Sequence, residues 1–176
     1  RPSSETLAPH TAIMASDLPL RSATEDDIPI LLELWRDAMS PNFSALGILP
    51  LEEQPLRRIL MRFECAELVI LDENPIGLFK VARDGREWKL IQILLSPTVQ
   101  GKGIGTHLIA NLIGEAKSSG ASLSLSVLKQ NPALKLYLRL GFVITGEEEH
   151  ALNLHLGANP AVEGTLRDKA AHRPSL

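Results

Sequence analysis

A glycine-rich turn between two segments of different hydrophobic period is the feature that most constrains the fold. Before the turn, residues 88–95 have the pattern of an extended strand, and Pro97 ends it because proline has no N–H to donate to a strand ladder. After the turn, from Ile104 onward, apolar residues recur every three or four positions up to a stop at Ser118-Ser119-Gly120. The sequence therefore predicts a strand that leads through a tight turn into an amphipathic helix.

Periodicity predicts further elements on both sides of this unit. The predicted helices cover residues 28–39, 51–63 and a short stretch from Asn131-Pro132 to Gly141, and the predicted loop between the first two covers 41–50. The predicted strands cover residues 18–23, 68–71, 76–83, 122–127, 142–144 and 150–156, in addition to 88–95. Turn residues at 72–75 and 84–85 make the strands from 68 to 95 an antiparallel meander. This order of elements predicts an α+β fold.

Length and composition restrict the class of protein. A chain of 176 residues suits one domain, and we expect it over residues 17–157, with a flexible extension at 1–16 and a weakly ordered tail at 158–176. The formal net charge of −3 offers no basic field for nucleic acid, and no apolar run reaches the ~20 residues needed to cross a membrane. Cys65 is the only cysteine, which excludes an intrachain disulfide or a cysteine-based zinc site and favours a cytoplasmic setting.

The glycine-rich turn has the composition of an anion-binding loop. Gly101, Gly103 and Gly105 remove every second Cβ, so several backbone N–H groups can point at a bulky anion, and the following helix adds its positive end. The expected ligand is a phosphate or a pyrophosphate. The order of residues in the turn does not match a P-loop, since Lys102 is followed by glycine. It does not match a dinucleotide-binding fingerprint either, since the third glycine comes one residue early.

The turn resembles the acyl-CoA loop of the GNAT acetyltransferases, which is written Gln or Arg, two residues, Gly, one residue, and Gly or Ala. Gln100, Gly103 and Gly105 occupy all of its fixed positions. A second segment, residues 131–142, is similar to the family's Asn…Ala…Tyr…Gly-Phe signature. The resemblance extends in the correct order over roughly residues 18–156.

The resemblance implies a fold, a cosubstrate and a set of site residues. The fold is the acyl-CoA N-acyltransferase fold, a mixed and mostly antiparallel central sheet with helices on both faces. The reaction is direct transfer of an acetyl group from acetyl-CoA to a primary amine of unidentified class, without a metal. Tyr137 is the implied general acid, which protonates the departing thiolate. The implied cofactor-binding residues are Ile93, Leu94, Leu95, Gln100, Gly101, Lys102, Gly103, Ile104, Gly105, Thr106 and Asn131.

Several of these assignments have structural alternatives. The glycines could serve only the turn, Lys102 could be solvated, Asn131 could be only a helix cap, and Tyr137 could be core packing. The sequence identifies no general base: Gln92 and Ser126 can only hold a water, and remote candidates are Glu64, Glu67, Glu87 and His150. The acceptor pocket is expected near Trp35, Phe43, Trp88 and residues 41–50, and the acidic run 147–149 could attract a cationic amine.

Two broader questions stay open in the sequence. A module with the same fold that binds CoA without catalysis, as a sensor or an interaction domain, is the alternative function. The final strands could pair across subunits, so a homodimer is compatible with the sequence.

Overall fold

The computed structural model describes residues 18–45 and 53–157, and within them strands form one sheet. The strands are β1 (Leu20–Ser22), β2 (Ala66–Leu71), β3 (Asn74–Asp84), β4 (Glu87–Leu95), β5 (Ser122–Leu128), β6 (Val143–Glu147) and β7 (Ala151–Leu156). Their order across the sheet is β1-β2-β3-β4-β5-β7-β6. All neighbours are antiparallel except β4 and β5, which are parallel. The prediction of a mixed, mostly antiparallel sheet is confirmed.

Helices pack on both faces of the sheet. They are α1 (Ile28–Ala45), α2 (Glu53–Leu60), α3 (Ile104–Ser118) and α4 (Ala133–Arg139). On one face, Leu31, Trp35 and Ile59 of α1 and α2 form an apolar core with side chains of β2, β3 and β4. On the other face, α3 packs Leu108 and Leu112 into a second core, which also contains residues from β5 and α4. The sheet therefore separates two cores, and the two pairs of helices lie on opposite sides of it.

Local chemistry explains where α1 begins. The Thr24 N–H donates to Asp27 Oδ2 at 2.8 Å, which satisfies one of the donors left free before a helix start. The Arg21 guanidinium lies 2.9 Å from Asp27 Oδ1 and lowers the pKa of that carboxyl. The acidic cluster thus starts the helical segment, as predicted from residues 24–27.

The predicted loop from residue 41 is wrong in its first part, because α1 continues through Pro41 to Ala45. Proline removes one backbone hydrogen bond and can bend a helix without ending it. The rest of that loop, residues 46–50, lies outside the described residues. The meander of β2, β3 and β4 is confirmed. Asp72 and Glu73, with φ of 48° and 65°, form its first turn in the left-handed conformation that a two-residue hairpin requires.

Candidate active site

The central strands of the sheet separate at one end and leave a cavity. β4 and β5 pair in parallel from Glu87 and Ser122 as far as Leu90 and Leu125, yet both strands continue for several residues beyond that point. The register of β3 on β4 shifts between Lys80 and Val81, which makes the β4 residue after Leu90 a bulge. The cavity at the opening has a volume of about 530 Å³. Its existence follows from the sheet itself, because no strand within residues 18–45 and 53–157 occupies the gap.

The predicted pantetheine-binding residues lie along this gap. Ile93 and Leu94 line the cavity, and Leu95 ends β4. Their backbones pair with β3 on one side, at Phe79, Leu78 and Gly77. On the other side, toward β5, the ladder has ended, so peptide groups of β4 can meet an extended ligand in the manner of an added strand. The free edge of β4 is compatible with the pairing that the family resemblance implies, and the binding of pantetheine at these residues stays a prediction.

The glycine-rich loop lies between the end of β4 and the start of α3. Gly101 and Gly103 have φ of 75° and 80°, a left-handed conformation that glycine adopts without steric cost. A Cβ at either position would meet no atom within 4 Å, so the space beside the loop is open. Gly103 is the N-cap of α3 and supplies no capping side chain, which leaves the N–H groups of the first helical turn available to an anion.

The remaining residues of the predicted loop have different surroundings. Gln100 Nε2 donates to the carbonyl oxygen of Leu95 at 3.0 Å, so its side chain fastens the loop to the end of β4. Lys102 is exposed, Ile104 is buried in the core, and Thr106 is half-buried on the first turn of α3. The loop therefore offers mainly backbone donors, and one lysine at its surface.

Helix α4 brings Asn131 and Tyr137 to the same cavity. Asn131 Oδ1 accepts a hydrogen bond from the N–H of Ala133 at 2.9 Å, so this residue caps the helix and also lines the cavity. Tyr137 is 5% exposed, and its ring meets the edge of Phe142 at 5.8 Å between centroids. Burial raises the pKa of the Tyr137 phenol to about 12. The phenol is therefore protonated at neutral pH, which is the state that a proton donor needs.

On the wall formed by β4, Gln92 is the notable polar residue. Its Oε1 atom is buried without a hydrogen-bond partner among the described residues, although the side chain lines the cavity. Buried carbonyl oxygens are nearly always satisfied, so this atom is suited to accept a hydrogen bond from a ligand or from a water. Ser126 of β5 lines the cavity as well. The four remote base candidates, Glu64, Glu67, Glu87 and His150, are absent from the described lining.

Helix α2 forms another wall of the cavity, and the buried Lys80 holds this helix in place. Lys80 of β3 is fully buried, and its Nζ donates to the carbonyl oxygens of Arg58, Ile59 and Met61 at 3.1, 2.8 and 2.8 Å. These carbonyls lie at the end of the helix, where a positive charge is favourable. Desolvation lowers the pKa of Lys80 to about 8. Helix α2 ends at Leu60, earlier than predicted, because the backbone turns left-handed at Arg62, with a φ of 53°, and Lys80 satisfies the carbonyls left free at this end.

Charged side chains surround the cavity. Arg58 and Arg62 come from the region of α2, Lys89 comes from β4, Asp84 ends β3, and Glu148 lies in the turn between β6 and β7. Sequence reasoning missed Arg58 and Lys89. In the sequence, Arg58 and Lys89 are recognisable only as charged residues on a helix and a strand expected to border the acceptor. Many solvated surface residues occupy such positions, so the sequence does not distinguish these two from them.

The aromatic residues predicted near the acceptor divide into two groups. Trp35 of α1 is 2% exposed and lines the cavity. Trp88 lies away from the described lining; its Nε1 donates to the Gly85 carbonyl at 3.1 Å and its ring stacks under the Arg83 guanidinium at 5.4 Å. Its role is therefore in the β3–β4 hairpin. Phe43 falls among the residues whose side chains are outside the described part.

Residues 28–142 match the model of the acetyltransferase (GNAT) family. The chain belongs to the GNAT acetyltransferase family. The matched range contains the separated ends of β4 and β5, the glycine-rich loop and Tyr137, so the family match and the geometry concern the same part of the molecule. Among curated protein sequences, none matches this chain.

Solved structures of other GNAT proteins share the fold. PaiA N-acetyltransferase of Thermoplasma acidophilum, solved with coenzyme A, is 18% identical with a TM-score of 0.64 over 80% of this chain and 98% of its own. The ribosomal-protein-S18-alanine N-acetyltransferase of Escherichia coli is 20% identical, with a TM-score of 0.61 over 81% and 94%. N-acetylglutamate synthase of Neisseria gonorrhoeae, solved with coenzyme A and N-acetyl-glutamate, is 18% identical, with a TM-score of 0.58 over 81% of this chain and 35% of its own.

Two further properties concern the described residues alone. They contain no group of three or more His, Cys, Asp or Glu side chains that could hold a metal ion. None of their helices has the length and apolar character that a membrane crossing needs.

Proposed function

We propose that this protein transfers the acetyl group of acetyl-CoA directly to a primary amine. One observation carries the proposal: beside the gap between β4 and β5, strand β4 leads from a cavity lined by Tyr137 to the glycine-rich loop at the start of α3. This arrangement suits a long, thin thioester whose diphosphate and reactive ends lie far apart. Solved relatives that contain coenzyme A support the choice of cosubstrate.

The protein would hold this cosubstrate mostly through its backbone. The peptide groups of Ile93, Leu94 and Leu95 would bind the amides of the pantetheine arm, with Asn131 beside them. The loop from Gln100 to Thr106 would bind the diphosphate through the N–H groups of Gly101, Gly103 and the first turn of α3. Lys102, exposed on the loop, would add one positive charge near the nucleotide end.

The transfer requires three events that balance in atoms and charge. The lone pair of the amine attacks the thioester carbon, the C–S bond breaks, and the amine loses its proton. Tyr137 would donate to the departing sulfur, and the proton that the amine loses replaces the one that Tyr137 gives up, so a neutral amine yields an N-acetyl amine and a CoA thiol. An acceptor that arrives as an ammonium first releases one proton to water. Because a phenol with a pKa of about 12 is a weaker acid than a thiol of pKa ~8.5, Tyr137 would stabilise the forming thiolate by hydrogen bonding before any complete proton transfer.

The buried oxygen of Gln92 would orient the amine. An amide oxygen cannot remove a proton at neutral pH, but it can accept a hydrogen bond from the amine or hold a water that does so. Ser126, on the other side of the gap, can hold the same water. The proton would then leave through water rather than to a dedicated carboxylate on β4 or β5.

The second candidate is a module that binds CoA without catalysis. One feature favours it: the described parts of β4 and β5 that line the cavity present Gln92 and Ser126 where a base would be expected. The presence of a buried, protonated phenol in the same cavity favours catalysis instead, because a binding module has no use for a proton donor there.

The experiment is a screen of primary amines with acetyl-CoA, in which turnover is measured as the release of free CoA thiol. We expect turnover by the wild type, and a loss of about 100-fold or more in kcat for Tyr137→Phe with CoA affinity changed less than about twofold. The substitution keeps the ring packed against Phe142, which makes it a conservative control for folding. CoA binding without turnover on any amine would favour the binding module, and the absence of CoA binding at millimolar concentration would overturn both.

A further inference from the structure

The charges around the cavity are distributed unevenly. On the α2 side, Arg62 is already neutralised, because it pairs with Glu64 at 2.6 Å and with Asp84 at 3.3 Å. The Arg58 guanidinium has no ion pair or side-chain hydrogen bond with any described residue, and the same holds for the Lys89 ammonium. Two positive charges therefore face the cavity without a counter-charge from the described part of the chain.

The opposite wall holds a carboxylate. Glu148 lines the cavity, and its Oε1 accepts a hydrogen bond from Asn153 Nδ2 at 3.1 Å. Its N–H donates to the Ala151 carbonyl at 2.8 Å, which fixes the turn that carries it. In contrast, its neighbour Glu147 lies 2.6 Å from Lys129, and Glu149 is close to His150 at 3.6 Å. Of this acidic run, only Glu148 both faces the cavity and lacks a cation among the described residues.

The sheet order separates the two kinds of charge. Arg58 lies over β3, since its carbonyl accepts from Lys80, whereas Glu148 lies in the turn between β6 and β7 and its N–H donates to the first residue of β7. The strands between them are β4 and β5, so β3 and β7 lie three strand spacings apart, or about 14 Å. The side chains of Arg58, Lys89 and Glu148 all line the same cavity, so their charged groups can lie closer together than the strands that carry them. The cavity therefore has a positive and a negative end.

We propose that the acceptor is a zwitterion, a primary amine that also carries an anionic group. Glu148 attracts the ammonium of the incoming acceptor, which Gln92 then orients once it has lost a proton, and Arg58 together with Lys89 binds the anion. The proposal rests on the proposed acetyltransferase function, since it assigns the substrate class of the same cavity. Arg58 can hold a carboxylate through two parallel hydrogen bonds, and Lys89 supplies a second charge from the wall formed by β4.

The test compares acceptors that differ only in the anion. Glycine, β-alanine, 4-aminobutanoate and leucine are assayed beside their carboxamides, with 2-aminoethyl phosphate to distinguish a phosphate from a carboxylate. For at least one acid of this series, we expect kcat/KM to exceed that of its amide by about tenfold or more, since hydrogen bonds to charged groups are of that strength. The chain length that gives the largest ratio reports the distance between the two charged ends.

Matched variants assign the two ends to residues. Arg58→Gln should bring the ratio of acid to amide close to one, whereas Arg57→Gln, an exposed neighbour on the same helix that does not line the cavity, should leave it unchanged. Glu148→Gln should lower kcat/KM for acid and amide alike by about tenfold, and Glu149→Gln should not. Calorimetry with CoA should give the same Kd for Arg58→Gln as for the wild type.

Failure of this inference is distinguishable from failure of the proposed function. Equal turnover of acids and amides by the wild type, or an Arg58→Gln variant that loses both equally, overturns the zwitterionic acceptor and leaves the acetyltransferase intact. A CoA Kd that rises tenfold in Arg58→Gln also overturns it, because the arginine would then belong to the cofactor. Binding of CoA with no turnover on any of these amines overturns the zwitterionic acceptor; the acetyltransferase is overturned only if the wider screen of primary amines gives no turnover either.

Discussion

The ammonium of Lys80 lies 2.8 Å from the carbonyl oxygen of Ile59, so a strand in the middle of the sheet is bonded directly to the end of α2. The same Nζ atom reaches the carbonyls of Arg58 and Met61. Because Arg58 and Met61 line the cavity, the position of the acceptor wall depends on a residue that does not line it in the described structure.

Replacement of this lysine should destabilise the protein. In Lys80→Met the apolar stem is retained, but three carbonyls lose their donor in a buried setting, which costs about 2 kcal/mol in the free energy of unfolding. Urea unfolding measures the change, with Lys135→Met on the exposed surface of α4 as control, expected within about 0.5 kcal/mol of the wild type. Equal stability of Lys80→Met and the wild type would mean that solvent reaches these carbonyls.

The same residue should make stability depend on pH. The pKa of Lys80 is about 8 in the folded protein against an ordinary value of 10.5, so between these limits the unfolded chain binds more protons than the folded one. The free energy of unfolding then rises with pH in this window. Urea unfolding at pH 7, 8, 9 and 10 should show the advantage of the wild type over Lys80→Met growing above pH 8. A constant difference across the series would refute the lowered pKa.

Gly103 should matter for the cofactor more than for the fold. Gly103 and Gly120 both have positive φ, of 80° and 65°, and a Cβ at either would meet no atom within 4 Å. Alanine at either position should therefore lower stability by about 1 kcal/mol through backbone strain. Only Gly103→Ala should weaken CoA binding, by about tenfold or more, because only this residue lies at the predicted diphosphate site. Calorimetry measures the CoA affinity of both variants, and similar affinities would contradict the assignment of Gly103 to the diphosphate site.

Gly77 should be essential to the sheet near the gap. A Cβ there would lie 2.4 Å from the carbonyl oxygen of Leu94 and 2.8 Å from a methyl group of Leu95, so β3 and β4 would have to move apart. We expect Gly77→Ala to lower the free energy of unfolding by about 3 kcal/mol, measured by urea unfolding. Gly114→Ala is the control: this glycine lies within α3 with open space around it, and alanine should stabilise the protein by about 1 kcal/mol. A mild effect at Gly77 would indicate that β4 is less tightly held than the structure indicates.

Much of the fold could be predicted because its signals are local. The alternation of leucine and serine from Ser122 to Val127 defines β5, and the glycines after β4 define the start of α3. The course of α1 beyond Pro41 could not be predicted in this way, since a proline alone does not show whether packing will keep the helix together. The domain limits at residues 16 and 157, a homodimer and a cytoplasmic location stay predictions.

The site could be predicted only where a motif identifies it. Tyr137 and the loop around Gly103 belong to such motifs. The buried lysine could not be found, because Lys80 occupies an ordinary strand position and its partners on α2 are about twenty residues away in the chain. Glu148 could not be singled out from the sequence either, because both of its neighbours are also glutamate. The structure shows that Glu148 is the one of the three that lines the cavity.

The parting of β4 and β5 gives this sheet two inner borders in addition to the outer ones on β1 and β6. An outer border can recruit a strand from any other chain, whereas these inner borders face each other across the gap, where we expect one narrow, extended molecule to bind. Amides along both should exchange with solvent in the free protein and become protected together when that molecule is bound. Ligand binding in this protein would then complete its secondary structure.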